Sequence, residues 1–432
     1  MKQLLLLTFC LFFISPSFAQ TLSTYTGNGS PGLVNGLLEE ALFNEPEQMV
    51  LDEEGNLYVC DRINHAIRKI DSEGNVTLFA GTGFPGDQLG DKESATFNIP
   101  VGLAIGTDGT IYVVDTGNHK IKKITKDGQV ELVAGNGNLG FNNGDVLEAE
   151  FEFPTYICVD DSNNLFVTGN NDYSIRKIDQ STNTVSSFAG NYVQGYQDGQ
   201  GLDALFSLPQ GIAIDKFNNL YVGDRDNNVI RKITPDAEVT TLAGTTTAGC
   251  QDGSAQEARF NGPKGVAVDD KGNVYVADRL NFVIRKIDTE GTVSTVAGIP
   301  GFSGFQDGEA TSNALIGRAV DVICDEDRGL YISDWQNHAI RYLSFDPVSV
   351  IDLNKFPKNK SIQIYPNPAT DLFQISGDLG ENYSVYLIDQ NGRVLLDIQN
   401  QSTVKVEDLL PGIYHVTVVG DGYYNFEKII LK

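Results

Sequence analysis

Six times this chain repeats nearly the same fourteen residues: LYVCDRINHAIRKI (Leu57–Ile70), IYVVDTGNHKIKKI (Ile111–Ile124), LFVTGNNDYSIRKI (Leu165–Ile178), LYVGDRDNNVIRKI (Leu220–Ile233), VYVADRLNFVIRKI (Val274–Ile287) and LYISDWQNHAIRYL (Leu330–Leu343). Successive copies start 54, 54, 55, 54 and 56 residues apart. A fixed period of this size signals an array of one supersecondary unit. Each unit holds four short apolar runs; in the fifth they are Gly265–Asp269, Val274–Asp278, Phe282–Asp288 and Thr292–Gly298. Val, Ile, Tyr and Thr dominate runs too short for helices, and Gly-containing turns separate them, so the runs read as strands. Four antiparallel strands per unit make one propeller blade. A blade cannot bury both its faces alone, so neighbouring blades must supply the missing contacts around the ring.

The connections repeat too. Ala-x-Phe-x-x-Pro appears as Ala41/Phe43/Pro46, Ala95/Phe97/Pro100, Ala149/Phe151/Pro154, Ala204/Phe206/Pro209 and Ala258/Phe260/Pro263, and degenerates to Ala314/Ile316/Ala319 in the sixth copy. Proline suits the first position of an innermost strand, where no ladder donor is lost, and the phenylalanine is placed to wedge between blades. The sixth copy lacks its fourth strand, and a matching run, Thr21–Gly27, lies at the other end of the chain. The expected fold is therefore all-β: a six-bladed β-propeller closed by the N-terminal strand, which removes two sheet edges, followed by a small β-sandwich.

Asn64-His65, Asn118-His119 and Asn337-His338, within the YVxD…N…IRKI pattern, resemble the NHL-repeat family over roughly residues 21–345. The resemblance implies a six-bladed propeller. It implies no single activity, because the family spans RNA-binding, protein-binding, sensor and lyase members.

Residues 1–19 read as a secretory signal peptide, with Lys2, the apolar Leu4–Ile14 and the small-x-small Ser17-Phe18-Ala19. The apolar stretch is too short for a bilayer span, and no transmembrane segment is expected elsewhere. Residues 20–343 form the propeller and 344–361 a linker. Residues 362–432 carry Tyr-Pro-Asn-Pro (Tyr365–Pro368), an Asp-x-x-Gly turn (Asp389–Gly392), Leu-x-x-Gly-x-Tyr (Leu409–Tyr414) and a basic terminus. About seven short strands are expected there, a small sandwich. The segment resembles the C-terminal sorting domain of Bacteroidetes type IX secretion. That resemblance implies the type IX secretion machinery as partner and a secreted protein, at the outer-membrane cell surface or extracellular. Cys158 and Cys324 replace small core residues, while Cys60 and Cys250 fall in different blades, so no disulfide pair or metal spacing emerges.

Acidity excludes one class of partner. With 31 basic and 57 acidic residues the net charge is −26, or −27 once Lys2 leaves with the signal. Nucleic-acid binding needs a basic face. The Arg-Lys pairs recur once per blade (Arg68-Lys69, Lys122-Lys123, Arg176-Lys177, Arg231-Lys232, Arg285-Lys286), which reads as a basic dispersal around the rim, so no nucleic acid is expected.

Site candidates come from departures. The turn Asp (Asp61, Asp115, Asp224, Asp278, Asp334; Gly169 in the third blade) and the Asn three residues on recur too regularly to be anything but blade-building. The innermost strand opens Pro-x-Gly in blades two, four and five (Gly102, Gly211, Gly265), but Gln48, Tyr156 and Asp321 stand at the aligned positions of blades one, three and six. With Arg318 and Trp335 they form the candidate ligand site at the channel mouth, on the face that collects the long connections. His65, His119 and His338 lie on three neighbouring blades and are weak metal candidates; zinc needs imidazoles converging within ~2 Å of the ion. Acidic loops at Asp87, Asp91, Asp145, Asp198, Asp252 and Asp307 have no EF-hand spacing, so neither calcium nor zinc has support and no cofactor is assigned. No nucleophile or phosphate-loop motif occurs. The sequence points to a binding module for an unknown protein, peptide or glycan ligand. The alternatives are a metal-dependent lyase or lactone hydrolase of the propeller class and a structural surface protein.

Overall fold

A computed structural model describes residues 20–345, except Asp327, and most of 363–431. The signal peptide, the linker beyond Phe345, the Asp389–Gly392 turn and Pro368 of the Tyr-Pro-Asn-Pro opening lie outside the described residues. No helix among the described residues is long and apolar enough to cross a membrane. Two compact units appear; Thr21–Phe345 is the first.

That unit contains six antiparallel sheets, one per repeat. In the fifth blade the inner strand is Pro263–Val268, followed outward by Val274–Asp278, Val283–Ile287 and Thr292–Ala297. The hairpins follow from local chemistry. Asp269 accepts the backbone N–H groups of Lys271 and Asn273 at 3.0 and 2.8 Å, an Asx turn that reverses the chain. At the outer corner Gly298 has φ of +87°, and a Cβ there would lie 2.4 Å from the Phe282 carbonyl, so only glycine fits.

The N-terminal strand Thr21–Thr26 pairs antiparallel with Ala339–Ser344, Leu22 opposite Leu343, and completes the sixth blade. Each sheet also gains a two-residue fifth strand that the repeat did not announce. Gly253–Ser254, from the connection leading into the fifth blade, pairs with that blade's outermost strand through Gly253–Val293 and Ser254–Thr292. The connections are thereby pinned to the blade edge.

The repeated basic residue is not on the rim, contrary to the sequence expectation. Arg68, Arg176, Arg231, Arg285, Arg341 and Lys122 are fully buried. In the fifth blade Arg285 donates to Asp278 (3.0 Å), Asp252 (2.6 Å) and the Arg259 and Gln251 carbonyls, and its guanidinium lies 5.0 Å from the Phe260 ring centre. It therefore ties the turn carboxylate, the acidic loop and the wedge phenylalanine together. Lys and Arg side chains are usually exposed; pairing of both terminal nitrogens is what permits burial here, although the Arg285 Nε has no hydrogen-bond partner among the described residues. The third blade solves its missing turn carboxylate locally. Asp172 folds back so that its carboxyl carbon sits 3.1 Å from where a Gly169 Cβ would be, and it accepts the Ser174 N–H.

The second unit, described by itself, holds a three-stranded and a four-stranded sheet around a core that includes Phe373, Val385, Leu387, Val416 and Ile429. These seven strands match the expected small sandwich.

Candidate ligand site at the channel mouth

The six inner strands line the central channel, and each is bulged at its start. Pairing with the second strand shifts between Pro46 and Met49, Pro154 and Ile157, Pro209 and Ile212, and Pro263 and Val266, with shorter shifts at Pro100–Gly102 and Ala319–Asp321. A bulge interrupts the in–out alternation of a strand. Consecutive positions two and three of the inner strand consequently both face the channel, one toward each end.

Position three forms a plug. Where glycine occupies it, the next inner strand passes close: a Cβ on Gly102 would lie 2.4 Å from the Thr155 carbonyl, and one on Gly211 2.2 Å from that of Lys264. Gln48 accepts the N–H groups of Leu103 (3.1 Å) and Ile157 (3.2 Å) and donates to the Ile157 carbonyl (3.0 Å), joining blades one, two and three. Tyr156 donates to the Val320 carbonyl at 2.7 Å, joining blades three and six, and lies 3.2 Å from Glu47. Asp321 accepts the Met49 N–H at 2.9 Å. Burial pushes the Asp321 carboxyl well above the usual carboxylate range, and burial with the charges of Glu47 and Asp321 raises the Tyr156 phenol. The sequence expectation set these three side chains in the mouth. The structure places them beneath it, at 7%, 0% and 2% exposure, because the bulge turns position two, not three, toward the loop face.

Position two lines the mouth: Glu47, Val101, Thr155, Gln210, Lys264 and Val320. The residue after the turn Asp forms a second tier, with Arg62, Thr116, Asn170, Arg279 and Trp335 in the same cleft of about 190 Å³ and Arg225 at the equivalent place in blade four. Of the two remaining residues singled out from sequence, Trp335 lines this cleft, and Arg318 lies beside it, near enough for its charge to act on Arg279. Arg318 is exposed and Trp335 half-buried, with the Arg279 guanidinium 5.5 Å from its ring centre. The other members were missed, although their signal was present: among six near-identical copies the second inner-strand position takes five residue types and the position after the turn Asp takes four.

The two halves of the mouth differ. Blades two and three contribute Ile99, Val101, Thr116, Thr155 and Asn170, all uncharged. Blades five and one contribute Arg279, Lys264 and Arg62, and Arg225 of blade four and Arg318 of blade six bring their charges to bear on Arg279. Glu47 neutralises Lys264 at 2.6 Å, and Glu45 pairs with Arg62. Arg225 touches only its neighbour Asp226, at 3.4 Å. Arg279 and Arg318 make no ion pair or hydrogen bond among the described residues, and the Arg279 Nε is buried without an acceptor. Desolvation, then the charges of Arg225 and Arg318, lowers the Arg279 pKa, a sign of cations crowded together. The backbone just outside the mouth is strained as well. Glu45, Ile99, Phe153 and Leu208, each preceding the inner-strand proline, hold left-handed φ of 45–59°, at a cost of about 1–3 kcal/mol apiece. Arg318, followed by Ala319, escapes this constraint.

The histidines do another job. The Nδ1 atoms of His65, His119 and His338 accept the N–H groups of Ile99 (3.0 Å), Phe153 (3.3 Å) and Glu45 (3.1 Å), each fixing the lead-in to the next blade; Asn228 does the same for Gly262. Among the described residues no group of three His, Cys, Asp or Glu is placed to hold a metal ion. The acidic loops are also engaged: Asp87, Asp198, Asp252 and Asp307 pair with the buried basic residue of their blade.

Below the plug the channel opens as an apolar funnel of about 400 Å³, walled by Leu51, Ile105, Val159, Ile214, Val268 and Ile323.

Comparison with known proteins agrees with this architecture. The teneurin NHL domain family matches residues 75–252 and 245–312, and the secretion system C-terminal sorting domain matches 363–432. SUPPRESSOR OF QUENCHING 1 of Arabidopsis thaliana is 31% identical over 279 residues, covering 60% of this chain and 26% of its own length. Human NHL repeat-containing protein 2 is 30% identical over 302 residues, 61% of this chain and 42% of its own. The chain thus spans less than half the length of these relatives. A Bacteroides thetaiotaomicron protein of unknown function superposes with a TM-score of 0.59 at 23% identity, covering 76% of each chain. An auxiliary nutrient binding protein of the same organism gives 0.60 at 17%, covering 75% and 76%. The chain belongs to the NHL-repeat propellers and carries at its C-terminus the sorting domain that directs export to the cell surface or the extracellular space.

Proposed function

We propose that this is a secreted or cell-surface binding module, exported through the type IX machinery, that takes its protein, peptide or glycan ligand over the channel mouth. Arg318 and Trp335 would touch the ligand, while Gln48, Tyr156 and Asp321 form the rigid support beneath. The observation that carries this reading is the convergence of the non-repeating positions on one cleft in an otherwise repetitive chain. Side chains that build blades recur in five or six copies; these vary from blade to blade, and binding sites are concave places where a few polar groups converge. A fold neighbour described as an auxiliary nutrient binding protein is compatible with a binding role, at an identity that conveys fold alone.

The test is ligand capture from a glycan array and from immobilised surface proteins, with the native protein beside Asn170→Trp, which fills the cleft, and Trp335→Ala. Both substitutions are expected to abolish capture at unchanged thermal stability. Capture that survives Asn170→Trp would place the site elsewhere.

A further inference from the structure

Resting on that reading of the mouth, we propose that its ligand carries a carboxylate on a sugar ring: an acidic monosaccharide unit, whose carboxylate is held between Arg279 and Arg318 and whose hydroxyls face Asn170 and Gln210. Three features lead there. First, Arg279 and Arg318 make no ion pair among the described residues of a chain with net charge −26, where 57 carboxylates are available as partners and every described guanidinium buried inside a blade has its terminal nitrogens hydrogen-bonded. Crowding Arg225, Arg279 and Arg318 is unfavourable in the free protein, and an incoming anion relieves it. Arginine presents parallel donors that match a carboxylate edge, which a lysine would not. The Arg279 guanidinium already lies over the Trp335 ring, 5.5 Å from its centre, a contact that restrains it before any ligand arrives.

Second, the opposite wall offers uncharged hydrogen-bonding groups. Gln210 donates to Asn170 Oδ1 at 2.6 Å, which leaves the Gln210 side-chain carbonyl and the Asn170 amide N–H groups without a hydrogen bond among the described residues, on two side chains that line the cleft. Amide acceptors and donors together suit hydroxyls, which are both. Third, about 190 Å³ is the scale of a single sugar ring, not of an extended chain. A peptide bound by strand addition needs an accessible sheet edge; the inner-strand edges pack against one another around the plugged channel, and the outer edge of each blade carries the short fifth strand.

Titration calorimetry on the folded protein with glucuronate and with a glucuronate-containing tetrasaccharide, beside glucose and an acidic hexapeptide, tests the proposal. Glucuronate ligands are expected to bind, with affinity falling at least tenfold between 50 and 500 mM salt. Arg279→Gln and Arg318→Gln should each weaken binding tenfold or more, and Arg279→Glu should abolish it, at native thermal stability. Binding of glucose and glucuronate with equal affinity, or binding unaffected by either glutamine substitution, overturns the acidic-sugar proposal while leaving the mouth as the site. Binding of the hexapeptide in place of the sugars overturns it in favour of an acidic peptide. Binding of glucuronate that survives Asn170→Trp removes the mouth itself.

Discussion

Arginine is used in two opposite ways in this protein. Inside the blades it recurs at a fixed place, is stripped of water and has its end nitrogens matched by a carboxylate, an amide or carbonyl oxygens. Around the channel mouth it appears in some blades and not in others, half-buried or exposed, with other guanidiniums for neighbours and no ion pair to Arg279 or Arg318 among the described residues. The same side chain is scaffold where the repeat fixes it and, on the function proposed above, a recognition group where the repeat lapses. The lesson is that in a repeat protein the position of a residue relative to the period says more about its role than its chemistry does.

That contrast can be attacked from several sides. The harshest attack is on closure: deleting Thr21–Thr26 strips the sixth blade of its outermost strand and exposes an edge. Loss of a single cooperative transition is expected in calorimetry, because each blade relies on both neighbours. Next come the blade pairs. Asp278→Ala strands the Arg285 charge without its carboxylate inside the blade and should cost about 3–5 kcal/mol in urea unfolding. Phe260→Ala, which removes the ring wedged against that guanidinium, belongs in the same range, about 3–5 kcal/mol. Smaller is His338→Ala, which frees the Glu45 N–H at the blade-six to blade-one step and should cost about 1 kcal/mol.

The weakest effect is on pH. Burial lifts the carboxyls of Asp61, Asp172, Asp224 and Asp278 to about 6, against their paired cations and hydrogen bonds. Between about pH 4 and 6 the folded state therefore holds more protons at these groups than the unfolded chain does, and stability declines as pH rises through that window. The melting temperature should rise modestly when the protein is taken from pH 7 to pH 5. A fall over that interval would show that these carboxylates are better stabilised by their arginines than burial allows.

Much of the architecture was legible because it is written six times. Blade number, the wedge phenylalanines and the missing fourth strand all follow from aligning the copies, and Thr21–Thr26 lies where that alignment sends it. The site was legible only halfway. Arg318 and Trp335 were visible as departures and do stand at the mouth. Gln48, Tyr156 and Asp321 were also visible as departures, yet they sit below it, since the bulge after each inner-strand proline breaks the two-residue alternation that sequence reasoning assumes. The same break hid Glu47, Gln210 and Lys264, one position earlier. Burial of Arg285 and its equivalents escaped notice for another reason. Its partners Asp252, Gln251 and Arg259 lie in a connection whose path depends on the two-residue fifth strand, too short to announce itself in any periodicity.

The division between scaffold and site arginines is tested most directly by unfolding Arg279→Gln and Arg285→Gln side by side in urea. Arg285→Gln is expected to lose about 3–5 kcal/mol, since it leaves Asp278 buried without its counter-charge. Arg279→Gln is expected to stay within about 0.5 kcal/mol of the native protein, or to gain slightly as the repulsion from Arg225 and Arg318 is relieved. Equal destabilisation by the two substitutions would contradict the division, and would return the mouth arginines to the scaffold.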